Sequence, residues 1–317
     1  MTKFAFIFPG QGSQFIGMGK ELADQFASAK AVFDEVDEAL GQDLSSLMWS
    51  GDEAELKLTA NTQPALMAVS VAAMRALQEG YGVTAGDAAF VAGHSLGEYS
   101  ALASSGAISV ADCARVLRIR GNAMQAAVPA GEGAMAALLG ATPEQAGELC
   151  AIGAKQGPCE IANDNAPGQI VISGSKAAID LACESARELG IKKAVPLPVS
   201  APFHCSLMQP AADAMAEALA DITITAPSTP LVANVTATAG SDPEAIRRQL
   251  VQQVTGQVRW TETVQYMFAQ GVGLTVEAGA GKVLTVMNRR TVRELEGTVM
   301  GTPEEIEAVA ARLKGEG

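Results

Sequence analysis

Histidine is almost absent from this chain: 317 residues hold two, His94 and His204. Any mechanism that needs an imidazole base has two places to find it, and a histidine-rich zinc site is excluded. The five cysteines (Cys113, Cys150, Cys159, Cys183, Cys205) are odd in number, scattered, and form no C-x-x-C pair. They read as reduced, buried thiols of a cytoplasmic protein, not as a disulfide framework or a metal cage. Aromatic residues are 4% of the chain against 48% hydrophobic, so the core must be built from Ala, Val, Leu, Ile and Met. Positive charge is also short, with 22 Lys plus Arg against 35 Asp plus Glu and a net charge of -13. That balance lacks the basic footprint of a nucleic-acid binder, and an anionic substrate would have to be met by local cations. No apolar run approaches membrane-spanning length, and the five apolar residues between Lys3 and Pro9 are too few for a signal peptide. The expectation is a cytoplasmic protein with no nucleic-acid or membrane partner, long enough for two compact units.

What the chain does contain is organised around Val91-Ala92-Gly93-His94-Ser95-Leu96-Gly97-Glu98. A short apolar run enters a Gly-X-Ser-X-Gly turn, and an Ala- and Leu-rich helical run leaves it. A strand, sharp turn and helix of this kind hold a serine out at the top of a sheet as a nucleophile. Glycine suits both flanks, because the first helical turn must pack close to the strand. The competing reading is an ordinary helix entry with Ser95 as its N-cap.

Phe4–Phe8 reads as a buried strand that feeds the loop Pro9-Gly10-Gln11-Gly12-Ser13-Gln14. No Gly-Lys-Ser/Thr follows, so this is not a phosphate-binding loop; its exposed N–H groups could face an oxyanion instead. Helical patterns cover Lys20 to Leu40 and Ala65 to Gln78, the second capped by Asn61 or Thr62 with Pro64 in its first turn. A helix from Val110 carries Arg115, Arg118, Arg120, Met124 and Gln125. Residues 130–198 then read strand, helix, strand, strand, helix, strand, the order of a ferredoxin-like unit. Within it, Thr142-Pro143-Glu144-Gln145 is a capping box, and the last helix is expected over Lys176 to Leu189. The predicted fold is α/β: a large α/β-hydrolase-like domain with a mainly parallel sheet (1–129 and 199–317), interrupted by this small subdomain (130–198). In the second part of the large domain we expect helices over Gln209–Ala220 and Pro243–Val254, strands at Leu231–Asn234 and Leu274–Glu277, and a polar terminal helix.

A serine hydroxyl needs a base within hydrogen-bond reach. His94 adjoins Ser95 on the turn and should point elsewhere, which leaves His204 in the Pro-framed loop Ser200-Ala201-Pro202-Phe203-His204-Cys205. Cys205 has nothing nearby fit to lower its pKa and reads as a buried thiol. Arg120 is either a surface helix residue beside Arg115 and Arg118 or a guanidinium that binds a substrate carboxylate. Sequence physics leaves both open.

Pro9-Gly10-Gln11-Gly12-Ser13-Gln14, Asn61-Thr62-Gln63-Pro64-Ala65, Gly93 to Tyr99, Arg120-Gly121 with Met124-Gln125, and Phe203-His204 occur in that order. Together, across nearly the whole chain, they make it resemble the malonyl-CoA:acyl carrier protein transacylases of fatty-acid synthesis. The resemblance implies a ping-pong transfer. Ser95 attacks the malonyl thioester, His204 takes its proton, and backbone N–H groups of Gln11 and Leu96 hold the oxyanion. The phosphopantetheine thiol of acyl carrier protein then collects malonate. It further implies that Arg120 grips the malonate carboxylate with Gln63 and Phe203 lining the substrate site, and that a backbone carbonyl near Gln253 orients the base. Phe203 should disfavour a branched methylmalonyl group. Malonyl-CoA enters as substrate, no bound cofactor or metal is expected, and a monomer is expected. The chain departs from the family pattern at Gln257, where proline is usual, and at Ala280, within a usual Gly-Pro-Gly.

The alternative is a serine hydrolase or thioesterase that uses the same Ser95–His204 pair, with Asp112, Asp164 or Asp180 as the orienting acid. A non-catalytic carrier-binding protein is a third possibility. For carrier docking, Lys192 with Lys193, or Arg289 with Arg290, are the candidate basic pairs.

Overall fold

The computed structural model describes residues 2–199 and 201–315; Ser200, at the head of the His204 loop, lies outside the described residues. In chain order the strands are β1 (Lys3–Phe8), β2 (Phe90–Gly93), β3 (Gly133–Leu139), β4 (Cys159–Ala166), β5 (Gln169–Ser175), β6 (Lys193–Pro196), β7 (Leu231–Val232), β8 (Ala239–Gly240), β9 (Val258–Arg259), β10 (Val272–Ala278) and β11 (Glu296–Met300). They form two sheets, ordered β11-β10-β1-β2-β7-β8 and β6-β3-β5-β4-β9. The first is parallel except at β7–β8. Its central strand β1 is fully buried from Ala5 to Phe8, with Phe6 and Phe8 in one core and Ala5 and Ile7 in another. That continuous apolar run is what a parallel strand covered on both faces requires. Catalytic loops of such sheets collect at the strands' carboxyl ends, and Pro9 and His94 leave β1 and β2 there.

The second sheet is antiparallel from β6 to β4. Alternation sorts its faces: Ile170 and Ile172 of β5 join the small core beneath the helices Pro143–Gly153 and Lys176–Ser185, while Val171 faces the main core. The capping box at Thr142 and Gln145 is present as read. Strand β9, contributed from residue 258 onward, extends this sheet by pairing parallel with β4.

Several local expectations are corrected. The helix over Thr59–Tyr81 starts earlier than read, so Asn61, Thr62 and Pro64 lie inside it. Asn61 and Thr62 are not caps; their side chains donate back to the carbonyls of Glu55 and Leu56 and so close the preceding turn. The pattern over Lys20 to Leu40 is two helices, Lys20–Gln25 and Ala27–Leu40, broken where Phe26 is extended. The helix expected to reach Leu189 ends at Ser185, and the strand expected over Leu231–Asn234 is two residues long. That shortening frees Asn234 for a different task. The helices Trp260–Ala269 and Val283–Thr291 and the strand β11 were not read from the sequence.

Candidate active site

The turn after β2 is possible because of two missing side chains. A Cβ at Gly93 would lie 2.0 Å from the Gly97 carbonyl oxygen, and one at Gly97 would lie 2.2 Å from that of Phe8. With both absent, the helix Gly97–Ser104 starts against the end of β1, and Ser95 sits at φ 53° at its head. Among the described residues three non-glycine residues have positive φ, and two of them are Ser95 and His204, at φ 58°. Each such conformation costs about 1–3 kcal/mol and persists only where the surroundings impose it.

The two strained residues meet. Ser95 Oγ lies 2.8 Å from His204 Nε2. On the other side of the ring, His204 Nδ1 lies 2.9 Å from the carbonyl oxygen of Gln253 and 3.1 Å from that of Gly256. Carbonyls only accept, so Nδ1 carries the proton, and Nε2 is left to accept from the serine hydroxyl. The acids a hydrolase would need are engaged elsewhere: Asp112 with Arg115, Asp164 with Thr261, Asp180 with Lys176. The Gly256 contact survives with Gln257 in place of proline. Ala280 is buried between Gly279 and Gly281, both at positive φ.

Arg120 is inside, not on the surface: the residue is 1% exposed. Its guanidinium donates to Gln63 Oε1 at 2.8 Å, Gln253 Oε1 at 2.9 Å and Ser95 Oγ at 3.2 Å, with the Tyr99 ring 5.6 Å away. All of these hydrogen-bond partners are neutral, and Nε has none. A buried cation that reaches the reactive oxygen and has no anionic hydrogen-bond partner is suited to an incoming carboxylate. It also acts on the base. Burial, and next the Arg120 charge, push the His204 pKa down to about 3. A carboxylate paired to Arg120 cancels that charge and strengthens the base.

A cleft of about 210 Å³ opens over these groups. Gln11, Gln63, Ser95, Arg120, Phe203 and His204 all line it, so six of the eight site residues read from the sequence converge there. Leu96 and Gln253 stand behind it. The backbone N–H groups of Gln11 and Leu96 have no acceptor among the described residues, as an oxyanion site requires. The small sheet supplies the opposite wall, including Asn163 and Asn165, which two register shifts in β4 flank. His94 Nε2 donates to Asn165 Oδ1 at 2.7 Å, the structural use expected of that histidine. Cys205 is fully buried and its thiol donates to the Pro202 carbonyl. Among the described residues no group of three or more His, Cys, Asp or Glu could hold a metal ion.

Two functional side chains were missed. Asn234 Oδ1 accepts from the Ser95 N–H at 2.8 Å while its Nδ2 donates to the Gly93 carbonyl at 2.6 Å, bracing both ends of the turn. Glu98, quoted in the serine motif without a role, is fully buried beneath it. A lone acid in the run from Leu96 to Leu102 is the available signal, and it is a weak one because acids are common in a first helical turn.

Residues 5–314 match the family model described as acyl transferase domain. The chain is 46% identical over 317 residues to the malonyl CoA-acyl carrier protein transacylase of Bacillus subtilis (strain 168), covering all of this chain and 99% of that one. The protein of the same name from Escherichia coli (strain K12) is 45% identical over 314 residues, 99% of this chain and 100% of its own. Among solved structures, the acyl-carrier-protein-S-malonyltransferase of Bartonella henselae superposes with TM-score 0.96 at 55% identity, covering 99% of both chains. A chain from the solved complex of a type II PKS acyl-carrier protein with its malonyl-transacylase aligns at TM-score 0.94 and 42% identity, over 98% of this chain and 100% of that one.

Proposed function

The chain belongs to the acyl transferase domain family, and from that premise we propose that it transfers malonyl from malonyl-CoA to the phosphopantetheine thiol of an acyl carrier protein. His204 Nε2 takes the Ser95 proton as Oγ attacks the thioester carbonyl. The oxyanion is held by the Gln11 and Leu96 N–H groups, and coenzyme A leaves as its thiol when His204 returns the proton. The malonyl ester on Ser95 is then attacked by the carrier thiol, with His204 again the base. Arg120 pairs with the malonate carboxylate through charge-assisted hydrogen bonds worth about 1.5–3 kcal/mol. Gln63 and Gln253 hold the guanidinium in place for it, and Phe203 crowds a branched substituent.

We further read residues 130–198 as an inserted ferredoxin-like subdomain and 1–129 with 199–317 as the α/β-hydrolase-like catalytic domain. The reading includes no bound cofactor, action as a monomer in the cytoplasm, and carrier docking beside the helix Val283–Thr291, which lines the cleft and ends in Arg289 and Arg290.

The observation that carries the proposal is the set of contacts on one oxygen: Ser95 Oγ touched by His204 Nε2 and by an Arg120 with no anionic hydrogen-bond partner. The deciding experiment follows the fate of malonate from enzyme pre-loaded with malonyl-CoA and freed of excess. Transfer to holo carrier protein much faster than release to water is the expected result. Release as free malonate at the same rate with and without carrier would identify a hydrolase.

A further inference from the structure

Among the buried titratable groups that the mechanism above leaves without a task, Glu98 stands closest to the reacting residues. Glu98 is 0% exposed. Its Oε2 accepts from the Asn234 backbone N–H and from Gln253 Nε2, both at 2.9 Å, while Oε1 has no hydrogen-bond partner. An acid so placed costs free energy to bury, and a merely structural role could be filled by an amide or an apolar residue of the same size.

What lies beyond its two partners is the whole reacting set. Gln253 turns its amide oxygen to Arg120 and its amide nitrogen to Glu98 and the Ser95 carbonyl, and its own backbone carbonyl receives His204 Nδ1. Asn234 receives the Ser95 N–H. A glutamine amide flips readily between its two ends; an anion at Oε2 fixes which end faces Arg120, because only the nitrogen can donate to it. The charged or titratable groups that act on Glu98 are Arg120, from the helix Val110–Ala126, and Tyr99, its own neighbour; Gln253 and Asn234 bring amides. Glu98 is thus the nearby buried anion for an arginine that otherwise meets only neutral partners.

We propose that ionised Glu98 is a positioning residue of this site: it sets Gln253 and Asn234, and through them His204, Arg120 and Ser95, and balances the Arg120 charge until the substrate carboxylate arrives. Protonation weakens both hydrogen bonds at Oε2 and removes the balancing charge, so the site loosens.

The proposal rests on the transferase reading and makes a distinct demand on its pH dependence. Desolvation pushes the Glu98 carboxyl up to about 7, against two hydrogen bonds and Arg120 that pull it down. The His204 imidazole, held near 3, is already neutral throughout the ordinary assay range. On this proposal an acid limb near neutrality comes from the carboxyl, and its temperature dependence distinguishes it from an imidazole.

The experiment is single-turnover malonylation of the full chain by malonyl-CoA from pH 5.5 to 8.5 at two temperatures, for the parent and for Glu98→Gln, with circular dichroism of both. The parent is expected to lose rate as one proton binds near pH 7, with a midpoint that hardly moves with temperature, since carboxyl ionisation is nearly athermal and imidazole ionisation is not. Glu98→Gln is expected to load at least tenfold more slowly at pH 8 and to show no limb. A parent without a limb, a limb that shifts with temperature as an imidazole does, or a folded Glu98→Gln with parental rate and limb would overturn the proposal. If that variant does not fold, the temperature test on the parent decides. Failure of the parent to load at any pH sinks the transferase reading instead.

Discussion

Arg120 carries the substrate preference in this account, because a malonyl group differs from an acetyl group by the carboxylate that Arg120 would bind. Arg120→Ala should lower malonyl loading by about tenfold to a hundredfold, from the 1.5–3 kcal/mol of an ionised hydrogen bond, and lower acetyl loading far less. Loading rates from the two coenzyme A thioesters check this, and equal losses would remove the role. Asn234→Ala leaves the Ser95 N–H and the Gly93 carbonyl unpaired in a buried site. It should cost about 2 kcal/mol in chemical denaturation and slow serine acylation. Serine and histidine were legible in the sequence because nucleophile chemistry admits few residue types and two histidines left one base, whereas Arg120 stood open between surface and pocket until the family resemblance supplied its role. Asn234 was invisible for the opposite reason: as the last residue of the strand expected over Leu231–Asn234, a short polar side chain signals no particular chemistry.

At the scale of elements, the site depends on how closely the helix Gly97–Ser104 approaches β1. Gly97→Ala would drive a methyl group into the Phe8 carbonyl, and backbone cannot yield as a side chain can. We expect a loss of about 3 kcal/mol or more, read as a lowered denaturant midpoint, with any folded fraction poorly acylated. The strand–turn–helix was legible because its glycines and apolar runs act over a few residues. The helix start at Thr59 was not, because Pro64 imitates a first-turn proline while tertiary packing carries the helix one turn further back. A Cβ at Gly121 would sit 2.6 Å from the Ala60 Cα, which shows how tightly the Arg120 helix presses on that first turn. The strand expected over Leu231–Asn234 is cut to β7 for a related reason: only Leu231 and Val232 pair with β2, and pairing, not pattern, sets its length.

At the scale of the molecule, buried ionisable groups couple the site to stability. His204 falls from its ordinary 6.5 to about 3 on folding, so it contributes stability above pH 6.5 that is lost as pH falls toward 3. Glu98 rises from 4.5 to about 7; its contribution is full below 4.5 and is lost as pH rises through 7. Between pH 6.5 and 4.5 the two oppose each other. Glu98→Gln removes the compensating slope, so its unfolding free energy from urea melts should fall more steeply with acidification than the parent's. The net charge of -13 also means that an acidic carrier needs a local basic landing place. Charge reversal of Arg289 and Arg290 should slow transfer to carrier and flatten its salt dependence, while loading from malonyl-CoA changes less; the exposed pair Lys192 and Lys193 lies away from the cleft.

The central claim is that one hydroxyl carries the acyl group between its two thiol partners, and intact-mass measurement after brief exposure to malonyl-CoA tests it most directly. One malonyl group per chain, mapped to Ser95, absent from Ser95→Ala and removed on adding holo carrier protein, is the expected result. An unmodified chain that still delivers malonate to the carrier, or an adduct that persists in Ser95→Ala, would contradict it.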